Sequence, residues 1–167
     1  MDLYTENMIF VTLGNQNFQF NRLLEKLEAS IRDNIINEQV VAQIGETNFK
    51  SDLFETVNFL GKEDFDNYIT ESSFVISHAG TGSIISCLKK RKKIIVAARQ
   101  SSFGEHIDDH QIEILNAFVE KKLIIGLNND LSDFQDKINK IEEIKLETFK
   151  SNNQIFNEKL ISIIDGF

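Results

Sequence analysis

The sequence predicts an α/β fold: a Rossmann-like parallel sheet with helices on both faces, in one domain spanning all 167 residues. Three observations carry that reading. Short apolar runs alternate along the chain with segments whose apolar residues recur at helical spacing. Several of the runs are apolar without polar alternation, as strands covered on both faces must be. Turn-forming glycines follow the runs, at Gly14, Gly45, Gly61 and Gly80, which sets the flexible turns along one rim of the sheet.

The elements follow in order. Residues 8–13 are a first strand ending at Gly14, and residues 18–32 a helix with Phe20, Leu23, Leu24, Leu27 and Ile31 on one face. Residues 40–44 form the second strand. Residues 56–60 form the third, and a short helix over 63–70 follows it. Residues 74–77 are the fourth strand, which leads through the glycine turn 78–83 into a helix ending near Leu88. Residues 94–98 are the fifth strand, 107–121 a helix and 123–127 the sixth strand. Helical patterns over 131–141 and 147–164 complete the chain. Strand–helix alternation implies right-handed crossovers and parallel pairing. In such sheets ligands bind beyond the carboxyl ends of the strands.

Composition narrows the function. With 18 basic against 26 acidic residues the net charge is -8, which argues against general nucleic-acid binding, since that needs a basic face. A single cysteine cannot form an internal disulfide and points to a reducing, cytoplasmic compartment. No apolar run reaches the roughly 18–20 residues that span a bilayer. Residues 1–7 are acidic and polar, unlike a secretory signal, and read as an N-terminal extension.

Two polar clusters fall on the predicted ligand rim, and they hold all three histidines of the chain. The first is His78-Ala79-Gly80-Thr81-Gly82-Ser83. A buried strand, a glycine turn and a helix start in that order can hold a phosphate on free helix N–H groups. An imidazole at the strand end can donate to a phosphoryl oxygen. The turn lacks the third glycine of a dinucleotide fingerprint, with Ile85 in its place, and the Gly-Lys-Ser/Thr ending of a P-loop. Otherwise it is a tight turn capped by Thr81 or Ser83.

The second cluster, residues 105–111, allows three readings. His106, Asp109 and His110 at i, i+3 and i+4 would share a helical face at metal-ligand spacing, but no outer ligand matches them. Alternatively Asp109, His110 and Gln111 start a helix and present donors and acceptors to sugar hydroxyls. The third reading is a solvated helix N-terminus, where acidic residues are favoured.

In register, "FVTLG", "QFNRLL", "VVAQIG", "FVISHAGTGSI" and "EHIDDHQIEI" resemble the glycosyltransferase family 28 C-terminal domain, the donor-binding half of GT-B glycosyltransferases. The resemblance covers most of the chain, about residues 8–127. It is to the short stand-alone form found in split enzymes, among them the dolichol-pathway N-acetylglucosamine transferase subunit and bacterial capsule and exopolysaccharide relatives. The resemblance implies that His78 and the turn Gly80, Thr81, Gly82 and Ser83 hold the pyrophosphate of a UDP-sugar. Gly14 and Asn15 would close over it, and Asp109, His110 and Gln111 would face the sugar and its phosphate. Leu60, in the turn of Phe59 and Gly61, would line the uracil pocket. His78 is the expected catalytic donor, and His106 the other candidate. No metal or other cofactor is expected.

The chain departs from the family pattern at two places. Many relatives carry a glutamate for the ribose hydroxyls where this chain has Ser86, which can make one such hydrogen bond but not a bidentate one. Arg91-Lys92-Lys93 replaces the family's Gly-Lys-Pro. The basic run from Lys89 to Lys93 reads either as a solvated helix C-terminus or as a contact for anionic lipid or a partner.

A complete GT-B enzyme needs two such domains, and this chain has room for one. The resemblance therefore implies a membrane-anchored partner carrying the site for a lipid-linked acceptor, with this chain peripheral to the cytoplasmic face. The expected function is the UDP-sugar-binding catalytic subunit of a two-component inverting transferase in capsular or exopolysaccharide synthesis. A non-catalytic nucleotide-binding or scaffolding subunit is the alternative, favoured by Ser86. A metal-dependent hydrolase is a third reading, which the histidines of the second cluster alone would support. The tail 147–167, with Phe149, Ile155, Phe156, Leu160, Ile163 and Ile164, either docks the partner or packs on its own domain.

Overall fold

The computed structural model describes residues 7–150 and 154–165. Six parallel strands, β1 (Met8–Thr12), β2 (Gln39–Gln43), β3 (Glu55–Val57), β4 (Phe74–His78), β5 (Ile94–Ala97) and β6 (Ile125–Gly126), pair in the order β3-β2-β1-β4-β5-β6. Helices α1 (Asn21–Arg32), α2 (Lys62–Glu71), α3 (Thr81–Lys89) and α4 (His110–Glu120) follow β1, β3, β4 and β5. β2 runs on to β3 without an intervening helix, and α5 (Phe134–Asn139) and α6 (Gln154–Asp165) follow β6. The predicted fold class is the observed one.

The central strands are mostly apolar because they feed two cores. Side chains alternate across a strand, so Ile9, Val11 and Leu13 pack under α1 and α5 with Leu24, Leu27 and Phe134. Phe10 and Val75 face the other way, against Ile69 of α2, Cys87 of α3, Phe118 of α4 and Leu160 of α6. Phe10 stacks on Tyr68 at 5.3 Å and meets Phe65 edge-on at 5.6 Å, which ties α2 to the sheet. Burial pushes the thiol of Cys87 up to about 12.

The element ends differ from expectation where tertiary contacts take over the backbone. The first helix starts at Asn21 rather than residue 18, because the carbonyls of Phe18 and Gln19 accept hydrogen bonds from Arg99. The third strand ends at Val57, leaving Phe59 and Leu60 in the turn before α2. The fourth helix starts only at His110, after a 3-10 turn over Ser101–Phe103.

Two residues of the basic run are used locally, while Lys89, Lys90 and Arg91 are exposed. Lys92 Nζ donates to the carbonyls of Thr70 and Ser72 at the end of α2. Lys93 Nζ donates to Ile141 and Ile144 at 2.8 and 2.9 Å. In the tail, Leu160 is buried, and Phe149 and Ile163 pack on the same core. Lys159 pairs with Glu120 of α4 at 2.6 Å, so the described tail packs on its own domain. Residues 1–6, and the side chains of Ile155, Phe156 and Ile164 in that tail, lie outside the described residues. No helix among the described residues is long and apolar enough to cross a membrane.

Candidate functional site

Because β1 and β4 are neighbours while their chain continuations diverge, the sheet has its topological switch point between them, the usual place for a ligand. Gly14 and Gly80 stand there side by side, with the imidazole of His78 between them. A Cβ on Gly14 would lie 2.5 Å from His78 Nε2, and one on Gly80 2.2 Å from His78 Cε1. These glycines seat the ring, and Gly14 also has a φ of +74°. Gly82 is different: a Cβ there meets nothing within 4 Å. The backbone at Gly82 therefore faces open space, where a ligand can approach.

Helix α3 supplies donors at the same point. Its first helical hydrogen bond runs from the amide of Ile84 to the carbonyl of Gly80, leaving the amides of Thr81, Gly82 and Ser83 without a helical carbonyl. Three N–H groups and the positive end of the helix dipole meet at the turn.

The protonation of His78 follows from its neighbours. The backbone amide of Arg99 can only donate, so the atom 3.0 Å from it is the carbonyl oxygen of Gln111. The amide nitrogen of Gln111 then faces His78 Nδ1 across a long contact of 3.4 Å. Nδ1 is the acceptor of that contact, and the neutral ring carries its proton on Nε2. Burial, helped by the nearby charge of Arg99 and by His106, lowers the His78 pKa to about 3. His78 is thus a neutral hydrogen-bond donor, with its Nε2–H held between the two glycine turns.

Arg99 is the hidden strut of the site. It is 1% exposed and donates to the carbonyls of Leu13 at 2.6 Å, Phe18 at 2.9 Å and Gln19 at 3.3 Å. Its guanidinium lies 5.1 Å from the Phe20 ring centre. The loop after β1 is therefore pinned to the end of β5. Burial lowers the Arg99 pKa to about 10, opposed by Glu105, so it stays charged at neutral pH. Glu105, itself buried, takes a bidentate pair from Arg22 at 2.7 and 3.1 Å and the amide of Gln100 at 3.0 Å.

The second cluster is mostly occupied with itself. Asp109 Oδ1 accepts from the amide and hydroxyl of Ser101 at 2.8 and 2.9 Å, which lowers its pKa. His106 pairs with Asp108 at 3.0 Å and its ring leans on Phe18. His110 Nδ1 lies 3.7 Å from Glu113. The helical face that His106, Asp109 and His110 would share in the metal reading does not form, because His106 precedes α4 rather than sitting on it. Among the described residues no group of three or more His, Cys, Asp or Glu is placed to hold a metal ion.

Beside the His78 turn lies a cleft of about 380 Å³ lined by Gly14, Asn15, Leu60, Gly82, Ser83 and Ser86, all singled out from sequence, together with Gln43, Lys62 and Phe65, which were not. Among the described residues no carboxylate lines it. His78 and Gln111 do not themselves line it, but the His78 ring abuts Gly14, which does. The missed residues left some trace: Gln43 is polar at the end of β2, and Arg99 follows the apolar run of β5.

Comparison with known proteins gives the family and the fold. The glycosyltransferase family 28 C-terminal domain profile matches residues 8–165. The chain is 32% identical over 113 residues to the UDP-N-acetylglucosamine transferase subunit ALG13 of Candida albicans, covering 67% of this chain and 36% of that one. It therefore spans about a third of that relative's length. The solution structure of an ALG13 matches with a TM-score of 0.58 at 20% identity, covering 93% of this chain and 96% of that one. The Methanocaldococcus jannaschii UDP-GlcNAc 2-epimerase, in complex with UDP-GlcNAc and UDP, matches with a TM-score of 0.56 at 12% identity, over 96% of this chain and 45% of that one. At these identities the two structures share the fold.

Proposed function

The chain belongs to the glycosyltransferase family 28 C-terminal domain family, and on that ground we propose that it is the donor-binding, catalytic subunit of a two-component inverting glycosyltransferase. The donor is a UDP-sugar. The naming of curated relatives as UDP-N-acetylglucosamine transferase subunits supports N-acetylglucosamine as the sugar. The observation that carries the reading is the neutral, Nε2-protonated His78 beside the open amides of Thr81, Gly82 and Ser83.

That arrangement suits departure of a nucleoside diphosphate. An acceptor hydroxyl attacks the anomeric carbon in line, and the bond from that carbon to the β-phosphate oxygen breaks with its electron pair on the oxygen. The helix amides and His78 Nε2–H stabilise the charge as it develops. The acceptor's proton goes to a base, for which His106 is the candidate in this chain and the partner the other source. Donors that stay neutral and fixed need no reorganisation as the charge forms. The partner is membrane-anchored and carries a lipid-linked acceptor, and this chain lies against the cytoplasmic face. Capsular or exopolysaccharide synthesis as the setting rests on the sequence resemblance alone.

Titration calorimetry with UDP, against GDP and NAD and with and without chelator, tests the donor site. Saturable binding of UDP alone, unchanged by chelator, is expected; equal binding of GDP, or loss of binding in chelator, overturns the proposal. A non-catalytic nucleotide-binding subunit is the second reading, favoured by a cleft without a carboxylate and with Ser86 in it. That reading predicts UDP binding with no sugar transfer when the partner is present.

A further inference from the structure

We propose that Gln43 reads the nucleoside of the donor, its Oε1 accepting a hydrogen bond from an N–H or O–H of the uridine. The inference rests on the reading of the cleft as a UDP-sugar site. Gln43 ends β2, where its backbone is already committed: Leu13 donates to its carbonyl at 2.9 Å. The side chain is 3% exposed and lines the cleft with Asn15, Leu60, Phe65 and Ser86. Its Nε2 donates to Asn15 Oδ1 at 3.3 Å. Its Oε1 is buried with no hydrogen-bond partner.

A buried amide oxygen left unpaired is costly, and folding alone gives no reason to keep one. An apolar side chain of the same shape would close the wall without that cost. The retained acceptor has a use if a ligand brings the missing donor. Phosphate oxygens bring none, because they are acceptors themselves, and they belong at the amides of α3. The apolar faces of Leu60 and Phe65 on the same cleft suit a planar base, and a uridine carries donors at the base N3–H and the ribose hydroxyls. With no carboxylate among the described residues of the cleft wall, the side-chain acceptors there are the oxygens of Asn15, Gln43, Ser83 and Ser86, and of these Gln43 Oε1 is buried without a partner. An acceptor at Gln43 also disfavours a base that presents only acceptors at that point.

The test is calorimetric titration of wild type and Gln43→Leu with UDP, 3-methyl-UDP, 2′-deoxy-UDP and 3′-deoxy-UDP, together with thermal unfolding of each protein without ligand. The expected result for Gln43→Leu is unchanged or higher Tm without ligand and UDP binding weaker by about tenfold. One of the three modified ligands should bind wild type correspondingly weakly and then lose nothing further in the variant. Wild-type-like UDP affinity in Gln43→Leu overturns the proposal, and so does an equal loss for all four ligands. A drop in Tm with the affinity loss shows a purely structural role and also overturns it. If Gln43→Leu does not fold, Gln43→Met takes its place, and equal wild-type affinity for all four ligands is decisive without any variant. Absence of UDP binding by wild type would instead remove the donor-site reading itself.

Discussion

The two polar loops at the ligand rim look alike in sequence and behave differently in the fold. The turn 80–83 presents bare backbone amides over a buried histidine, with open space above Gly82. The loop 105–111 spends its polar atoms internally, on Ser101, Arg22, Gln100, Arg99 and His78. The first leaves its donors open to a ligand, and the second commits its donors and acceptors to the surrounding frame. A polar residue at a functional rim is thus not a ligand contact by virtue of its place; what its neighbours have already taken decides.

The largest effect should come where the two loops meet, at His78. His78→Ala should reduce transfer about 10²–10³-fold, as loss of a positioned donor does; a near-normal rate would remove His78 from the mechanism. The same variant has a pH signature. The native ring stays neutral down to about pH 3, whereas in the unfolded chain it takes a proton near its ordinary 6.5. Between those values the unfolded state binds more protons, so His78 lowers stability as pH falls through the window. The wild-type-minus-variant difference in unfolding free energy should slope by up to about 1.4 kcal/mol per pH unit there, and a flat difference would contradict the buried neutral ring.

Next come the glycines of the first loop. Gly80→Ala forces a methyl into the His78 ring and should cost about 1–3 kcal/mol, along with UDP binding. Gly82→Ala has room, so its Tm should hold or rise while UDP affinity falls. Equal Tm losses in the two variants would erase the distinction between seating a ring and admitting a ligand.

The smallest effects should lie in the framing loop. Asp109→Asn keeps the acceptor for Ser101 and should change UDP affinity by less than about threefold. Gln111→Glu puts a second acceptor against Nδ1 and should draw the His78 proton there from Nε2, which nitrogen NMR reads directly, with transfer down about tenfold. A larger loss for Asp109→Asn than for Gln111→Glu would reverse the roles given to the two residues.

The sheet was legible because its physics is local and repetitive. Runs such as Phe74-Val75-Ile76 and Ile94-Ile95-Val96 can only be strands buried on both faces, and their spacing leaves room for one crossover helix each. The glycine turn was legible for the same reason, since strand ends in such a sheet share one rim, whereas Asn15, Leu60 and Ser86 were named only through the family resemblance. What stayed hidden depends on pairings remote in sequence. Arg99 bonds Leu13 across 86 positions and Arg22 pairs with Glu105 across 83, and no periodicity records such partners. The start of α1 was misplaced because Arg99 claims the carbonyls before it. Gln43 falls unremarked inside the predicted second strand, and only its neighbours in the fold show one amide atom bonded and the other bare.

The chain's one cysteine has a practical consequence. Cys87 is sealed between α3 and the sheet, with its thiol held far from ionisation at neutral pH, so it should ignore alkylating reagents while the fold is intact. The native protein is therefore chemically silent toward maleimides. A single cysteine introduced at Ile107, 79% exposed on the framing loop, would then be the one reactive thiol in the molecule. A fluorophore placed there could report arrival of a second chain at this rim without any change to the donor cleft.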